Sequence, residues 1–471
     1  MRTWSKALAG VAVAAVVASC GGGGDGATAR AGIDGGGFAK GTVTGFGSVI
    51  VNGVRFDTAT AVFEIDGRAG TQADLRVGHV VSVVGSINGT SGVAQRITFD
   101  DDVEGPVQQI DRAAGTLVVL GQRVIVDGAT SFDDTPLCTL ADIQVGTIVE
   151  VSGFRASTGE VRATRIECRA AAGEFEVTGT IAALDTVQRR FSVDSLIVDY
   201  SQAQLDDFPG GTPANGQLVE VKGTNFNGSV FVATRVEFKG NGLPAANGDR
   251  VELEGLVTRF ASPTDFDVSG QRVTTTASTQ IERCAVPLNL ALNTKVEVEG
   301  TLNSGIISAT KVECDVGTSL RVSATVESIN AASNSFVVLG VTVTVDGSTR
   351  FEDQSNLDVE PFRLSDLRVG DFVEVRGGAG TAANTILAAL VERDEPENRV
   401  ELRGIAANVA TPDLTILGVT VRTHAATDFE NEADAPITST QFFAQAPNRL
   451  VNARGTFANG VLTADEVELE N

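Results

Sequence analysis

Sixty acidic side chains face 36 basic ones in this 471-residue chain, and several acids stand in groups that invite a chemical reading. Val126-Asp127-Gly128-Ala129-Thr130 leads into Asp133-Asp134, and Val345-Asp346-Gly347-Ser348-Thr349 into Glu352-Asp353. Carboxylates gathered on a turn are what a hard cation such as calcium prefers. An Asp-Gly turn that ends a strand accounts for the same residues without an ion. The ligand spacing of an EF-hand is missing, so no metal ligand is assigned. Glu150, Glu220, Glu297 and Glu374 alternate with Val along predicted strands. They are expected to point outward, with Arg165, Arg235 and Lys311 on the returning strands as cross-strand partners. That arrangement is surface stabilisation, not acid–base catalysis.

The two histidines, His79 and His424, lie in different repeats and neither sits in a nucleophile motif. His79 precedes a strand and is expected at the surface. A catalytic triad or a histidine metal centre is therefore not expected. The sequence has no Cys-x-x-Cys-His and no phosphate-binding Gly-rich loop with Lys. No catalytic residue and no cofactor is assigned, and the chain is expected not to be an enzyme. A net charge of −24, one Trp (Trp4) and one Tyr (Tyr200) also argue against nucleic acid as a partner.

The elements that carry these residues recur. Val-x-Val-x-Gly appears as Val81–Gly85, Val149–Gly153, Val219–Gly223, Val296–Gly300 and Val373–Gly377, with a weaker form at Val451–Gly455. Its alternation is that of a half-buried strand. Turns such as Asn88-Gly89 and Asn227-Gly228 follow, then a returning strand with the phrase Ala163-Thr-Arg-Ile-Glu167, Ala233-Thr-Arg-Val-Glu237 or Ala309-Thr-Lys-Val-Glu313. Upstream lies a second hairpin, for example Phe336-Val-Val-Leu-Gly340-Val-Thr-Val, preceded by a strand with a central Gly. Asp74-Leu75, Asp142-Ile143 and Asp366-Leu367 predict a short helical turn capped by Asp in the connection. Phe63, Phe132 and Phe351 are expected to plug the barrels. Three strands, a covering turn and two strands is the order of an OB-type barrel. The fold expected is all-β: six tandem small five-stranded OB-like barrels over residues 40–102, 103–169, 174–239, 249–315, 319–393 and 399–471.

Cysteine placement follows the repeat. Cys138 and Cys168 are 30 residues apart, as are Cys284 and Cys314, at matching positions in their units. The third and fifth strands of such a barrel run parallel and adjacent, so both cysteines of a pair fall at one barrel end. Disulfides Cys138–Cys168 and Cys284–Cys314 are predicted, as suits a chain outside the cytoplasm. Close two-residue zinc spacing is absent.

The first nineteen residues read as a targeting segment: Arg2 and Lys6, then an apolar run from Ala7 to Val17 too short to span a bilayer. Val17-Ala18-Ser19-Cys20 resembles the lipobox of bacterial lipoproteins. The resemblance implies a signal peptide over 1–19, lipidation at Cys20 and, with Gly21 next, the outer membrane. Cleavage would remove Arg2 and Lys6 and take the net charge to −26. A Gly-rich tether is expected over 20–39. With these phrases aligned, the chain resembles uncharacterised bacterial lipoproteins built of tandem OB-like domains of unknown function, a resemblance that transfers no functional residue. The function expected is a non-catalytic lipoprotein of the bacterial cell envelope, anchored to the membrane by lipid, acting as a multi-barrel scaffold or stalk for a protein partner. The alternative is a module that binds an envelope glycan or a divalent cation through barrel-end loops.

Overall fold

The computed structural model describes residues 36–133, 138–169, 173–240, 242–433 and 435–470. The expected signal, Cys20, nearly all of the expected tether and Asp134 lie outside the described residues. The first strand, Gly37–Gly45, begins inside the expected tether, with Phe38 and Ala39 already buried.

The hairpin Ser335–Val338 to Val341–Thr344 shows how sequence becomes architecture. Its alternate residues Phe336, Val338, Val341 and Val343 are buried, as period-two patterning requires. Leu339 and Gly340 both have positive φ (52° and 73°), the backbone of a tight two-residue turn whose twist matches its strands. The third strand lies parallel to Thr385–Asp394. That strand runs antiparallel to Phe372–Ala379, which pairs with the first strand, Leu320–Asn330, and so closes the ring. The order 1-2-3-5-4-1 is a closed five-stranded barrel. Residues 250–314 and 400–469 close in the same way. The order recurs over 103–169 and 37–99. Between Phe175 and Phe238 the fourth and fifth strands are each broken in two.

The glycine of Val-x-Val-x-Gly now has a reason. A Cβ on Gly85, Gly153, Gly223, Gly300, Gly377 or Gly455 would stand 2.0–2.5 Å from a carbonyl oxygen of the returning strand. Most of these glycines sit at a register shift, where a bulge lets a short strand curl around a small barrel.

The short covering turn forms at Gln72–Asp74, but the cap is not Asp. Thr71 is the N-cap, and its amide donates to the Asp74 carboxylate at 2.8 Å. Thr139 and Asp142 repeat the pair. The third residue of a capping box accepts from the cap's own amide. The sixth barrel has the one α-helix among the described residues, Ser439–Gln445, whose Phe442 is fully buried against Phe429. Phe63 is buried, and Phe132 and Phe351 pack partly buried against their cores.

The barrels are not separate beads along the chain. They merge into three sheets of 13, 14 and 12 strands. In each, the first strand of one barrel pairs with the first strand of another: Gly37–Gly45 with Arg250–Ser262, Val103–Asp111 with Phe175–Asp185, and Leu320–Asn330 with Val400–Ala410. The long first strand serves the fourth strand with its initial half and the second strand with its final half. The other edge of its initial half is left open, and open edges recruit strands. Side chains bolt further seams: buried Arg350 donates to Thr164 O (3.0 Å), Ser131 Oγ (3.0 Å) and Ala129 O.

Candidate functional site

Acids collect where barrel walls meet. Cross-strand register places Glu167, Glu150, Glu104 and Glu176 directly beside one another on four successive strands, followed by Lys222. Like charges in opposed positions repel, and this row is largely withdrawn from water: Glu167, Glu150 and Glu176 are buried. Their expected outward direction is met relative to each barrel, but outward here means into the next barrel. Glu150 and Glu220 are 5% and 1% exposed. Glu297 and Glu374 are half-buried.

The expected cross-strand partners are also corrected. Arg165 lies opposite Ser152, Arg235 opposite Lys222 and Lys311 opposite Glu299. Glutamate instead faces glutamate, as in Glu150–Glu167, Glu220–Glu237, Glu297–Glu313 and Glu374–Glu392. Counting along one strand cannot reveal this, because register is set between strands. Compensation comes from elsewhere. Arg169 Nη1 stands 3.1 Å from Glu167, and Arg169 Nε bonds Glu150 at 2.6 Å. Lys222 Nζ joins Glu176 at 2.5 Å and Glu220 at 2.8 Å. Lys239 meets Glu220 and Asp100.

His79 is buried rather than superficial, 2% exposed and stacked on Phe99 at 4.0 Å. Its Nδ1 accepts the Arg76 amide at 3.2 Å, which leaves the proton on Nε2, 3.2 Å from Glu167 Oε1. Burial lowers its pKa to about 4, so the ring is neutral at pH 7. Burial resists ionisation of Glu167, but the bonds from His79 and Arg165 prevail and hold it near 2. His79, Glu150 and Glu167 bring metal-ligating atoms within 4.8 Å. The histidine is already spent on hydrogen bonds, so this is a satisfied polar contact across the first and second barrels. His424 is half-exposed, its Nδ1 accepting the Ala426 amide.

The predicted acidic turns are likewise occupied. Asp127 and Asp346 accept the amides of Ala129 and Ser348, two residues on, as turn-capping aspartates do. Asp133 pairs with Arg165, Glu352 meets Ser131 and Arg165, and Asp353 pairs with Arg393.

Sequence reasoning passed over Asp100-Asp101-Asp102, the crossing from the first to the second barrel, although three consecutive aspartates were a visible signal. Asp100 pairs with Lys239, while Asp102 accepts the Gly153 amide at 3.0 Å and faces Arg155. Asp101 is 1% exposed, and neither of its carboxylate oxygens has a hydrogen-bond partner. Burial first, then Asp66, Glu176 and Glu104, push its pKa well above the usual range. A second cluster joins Glu252, Glu297 and Glu299, with Arg250 on Glu252 and Lys311 on Glu299. A cavity of about 50 Å³ opens nearby, lined by Thr42, Glu254, Lys295, Glu297 and Arg350.

The predicted cysteine pairs are joined: Cys138–Cys168 (S–S 2.00 Å) and Cys284–Cys314 (2.05 Å). In the second barrel, Ser131–Phe132 runs parallel to the returning strand and brings both cysteines to one end.

No curated protein matches this chain. The family described as Domain of unknown function (DUF5666) matches five times, over residues 104–167, 178–237, 254–313, 323–392 and 403–468, rather than the six copies expected. Residues 37–99 share its strand order without matching it, and on these five matches the chain belongs to the DUF5666 family.

Proposed function

We propose that this chain is a non-catalytic lipoprotein of the bacterial cell envelope, held in the outer membrane by lipid on Cys20 and serving as a rigid scaffold for a protein partner. The observation that carries the reading is the pairing of first strand to first strand. Barrels fused through continuous hydrogen-bonded sheet cannot hinge freely, so their outer faces keep fixed spacing. The two disulfides suit an oxidising compartment. Val17-Ala18-Ser19-Cys20 supports the anchor, and several acyl chains would hold firmly at about 0.8 kcal/mol per buried methylene. Residues 37–99 are a sixth, diverged copy on this reading. Crosslinking in intact envelopes followed by mass spectrometry tests the scaffold: a reproducible protein neighbour supports it, and its absence at native abundance rejects it. Loss of fatty-acid labelling in Cys20→Ser tests the anchor. A cation-binding role is a second reading, favoured by the unpartnered Asp101.

A further inference from the structure

We propose a calcium-binding site at the seam of the second and third barrels, formed by Asp101, Glu104 and Glu150. Each offers one carboxylate oxygen, and these oxygens lie within 4.8 Å of one another. Calcium–oxygen distances of about 2.3–2.6 Å allow ligands of one ion to be no farther apart than roughly twice that.

The acids alone would not make a site, since buried carboxylates are abundant in this protein. Asp101 sets this group apart. Of the three consecutive aspartates it alone has no partner, with both oxygens buried. Its backbone cannot swing it to water. The Asp101 carbonyl accepts Thr178 Oγ1 at 3.3 Å, and the Asp102 amide and carbonyl are tied to Val151 O and Thr178 N at 3.0 Å each. A carboxylate fixed in this way, with acids for neighbours, is unfavourable unless a cation or proton joins it. Asp66 and Glu176 approach from the adjoining elements, and each has a further buried oxygen without a hydrogen-bond partner. The basic groups facing the cluster are already engaged: Arg169 with Glu150 and Glu167, Lys222 with Glu176 and Glu220. All-carboxylate oxygen ligation selects a hard ion, and irregular multi-carboxylate geometry suits calcium better than magnesium. This site differs from the Asp-Gly turns in Asp101, both of whose oxygens are without a hydrogen-bond partner, although Glu150 also holds Arg169 on one oxygen.

Calcium titration of the full chain by calorimetry, after a chelator wash, tests the site. Wild type should bind, its thermal midpoint should rise with calcium, and Asp101→Asn/Glu104→Gln should bind one equivalent fewer. Glu104→Gln alone, on a half-buried strand position, should weaken the same equivalent. With chelator present, the double variant should be at least as stable as wild type, because repulsion is relieved. No binding at millimolar calcium, or unchanged stoichiometry and affinity in both variants, would overturn the proposal.

Discussion

His79 of the first barrel donates its Nε2 proton to Glu167 of the second at 3.2 Å, with the tautomer set by the Arg76 amide on Nδ1. One neutral imidazole thus helps to link two barrels that are also joined by the Val80 amide on Ser152 Oγ (2.8 Å) and Arg165 on Val77 O (3.2 Å). Burial holds its pKa near 4, below the 6.5 of an unfolded histidine. Between those values the unfolded chain takes up a proton that the folded one refuses, so stability falls as pH drops from 6.5 to 4. Glu167, held near 2, adds a further loss from 4.5 downward. The histidine contribution is about 3 kcal/mol. Denaturant midpoints from pH 7.5 to 4 should show His79→Gln less stable than wild type at pH 7.5, with the gap narrowing toward pH 4. A constant gap would refute the assignment.

Gly377 tests the explanation of the recurring glycine. A Cβ there would stand 2.2 Å from Leu387 O, a backbone atom that cannot step aside. Gly377→Ala should cost about 2–4 kcal/mol through strain and repacking. Gly173 has open space around it and ordinary φ, so Gly173→Ala should be neutral. Equal effects in thermal unfolding would mean that closure at the bulge is not what the repeat protects.

Strand order was legible because period-two patterning, tight turns and matched cysteines are local or recur. Phe336 to Val343 and the pair Cys138–Cys168 carry their geometry in their own spacing. What lay between barrels was not legible. A lone Glu150 looks the same whether its outward face meets water or Glu104 of a neighbouring strand. His79 reads as a surface residue until Phe99 and Glu167 are placed beside it. The fusion of first strands leaves no mark either, since Leu320–Asn330 has the same alternation with or without Val400–Ala410 along its edge.

The disulfides should contribute comparably, because both close loops of the same separation, 30 residues. The loop-entropy relation gives about 3–4 kcal/mol each. Each pair has one buried member, Cys138 or Cys314, and one half-buried member, Cys168 or Cys284. Mild reduction should therefore enter both pairs through the half-buried sulfurs at comparable rates. Timed alkylation and mass spectrometry would follow it, and labelling of Cys138 or Cys314 ahead of Cys168 and Cys284 would contradict it.

Stability should also decline on the alkaline side, by a different route. Burial and then Glu299 raise Glu252 to about 8, while burial and then Glu254 raise Glu297 to about 7. Below these values the folded chain keeps protons that unfolded glutamates, at about 4.5, have released. Stability is therefore lost as pH rises from 4.5 through 8, and the loss levels off above that. Arg250 and Lys311 temper it without cancelling it. Glu252→Gln holds the neutral form permanently. It should unfold later than wild type at pH 9, by about 5 kcal/mol, and almost together with it at pH 5. Parallel wild-type and variant curves across that range would mean that Glu252 stays ionised in its buried position.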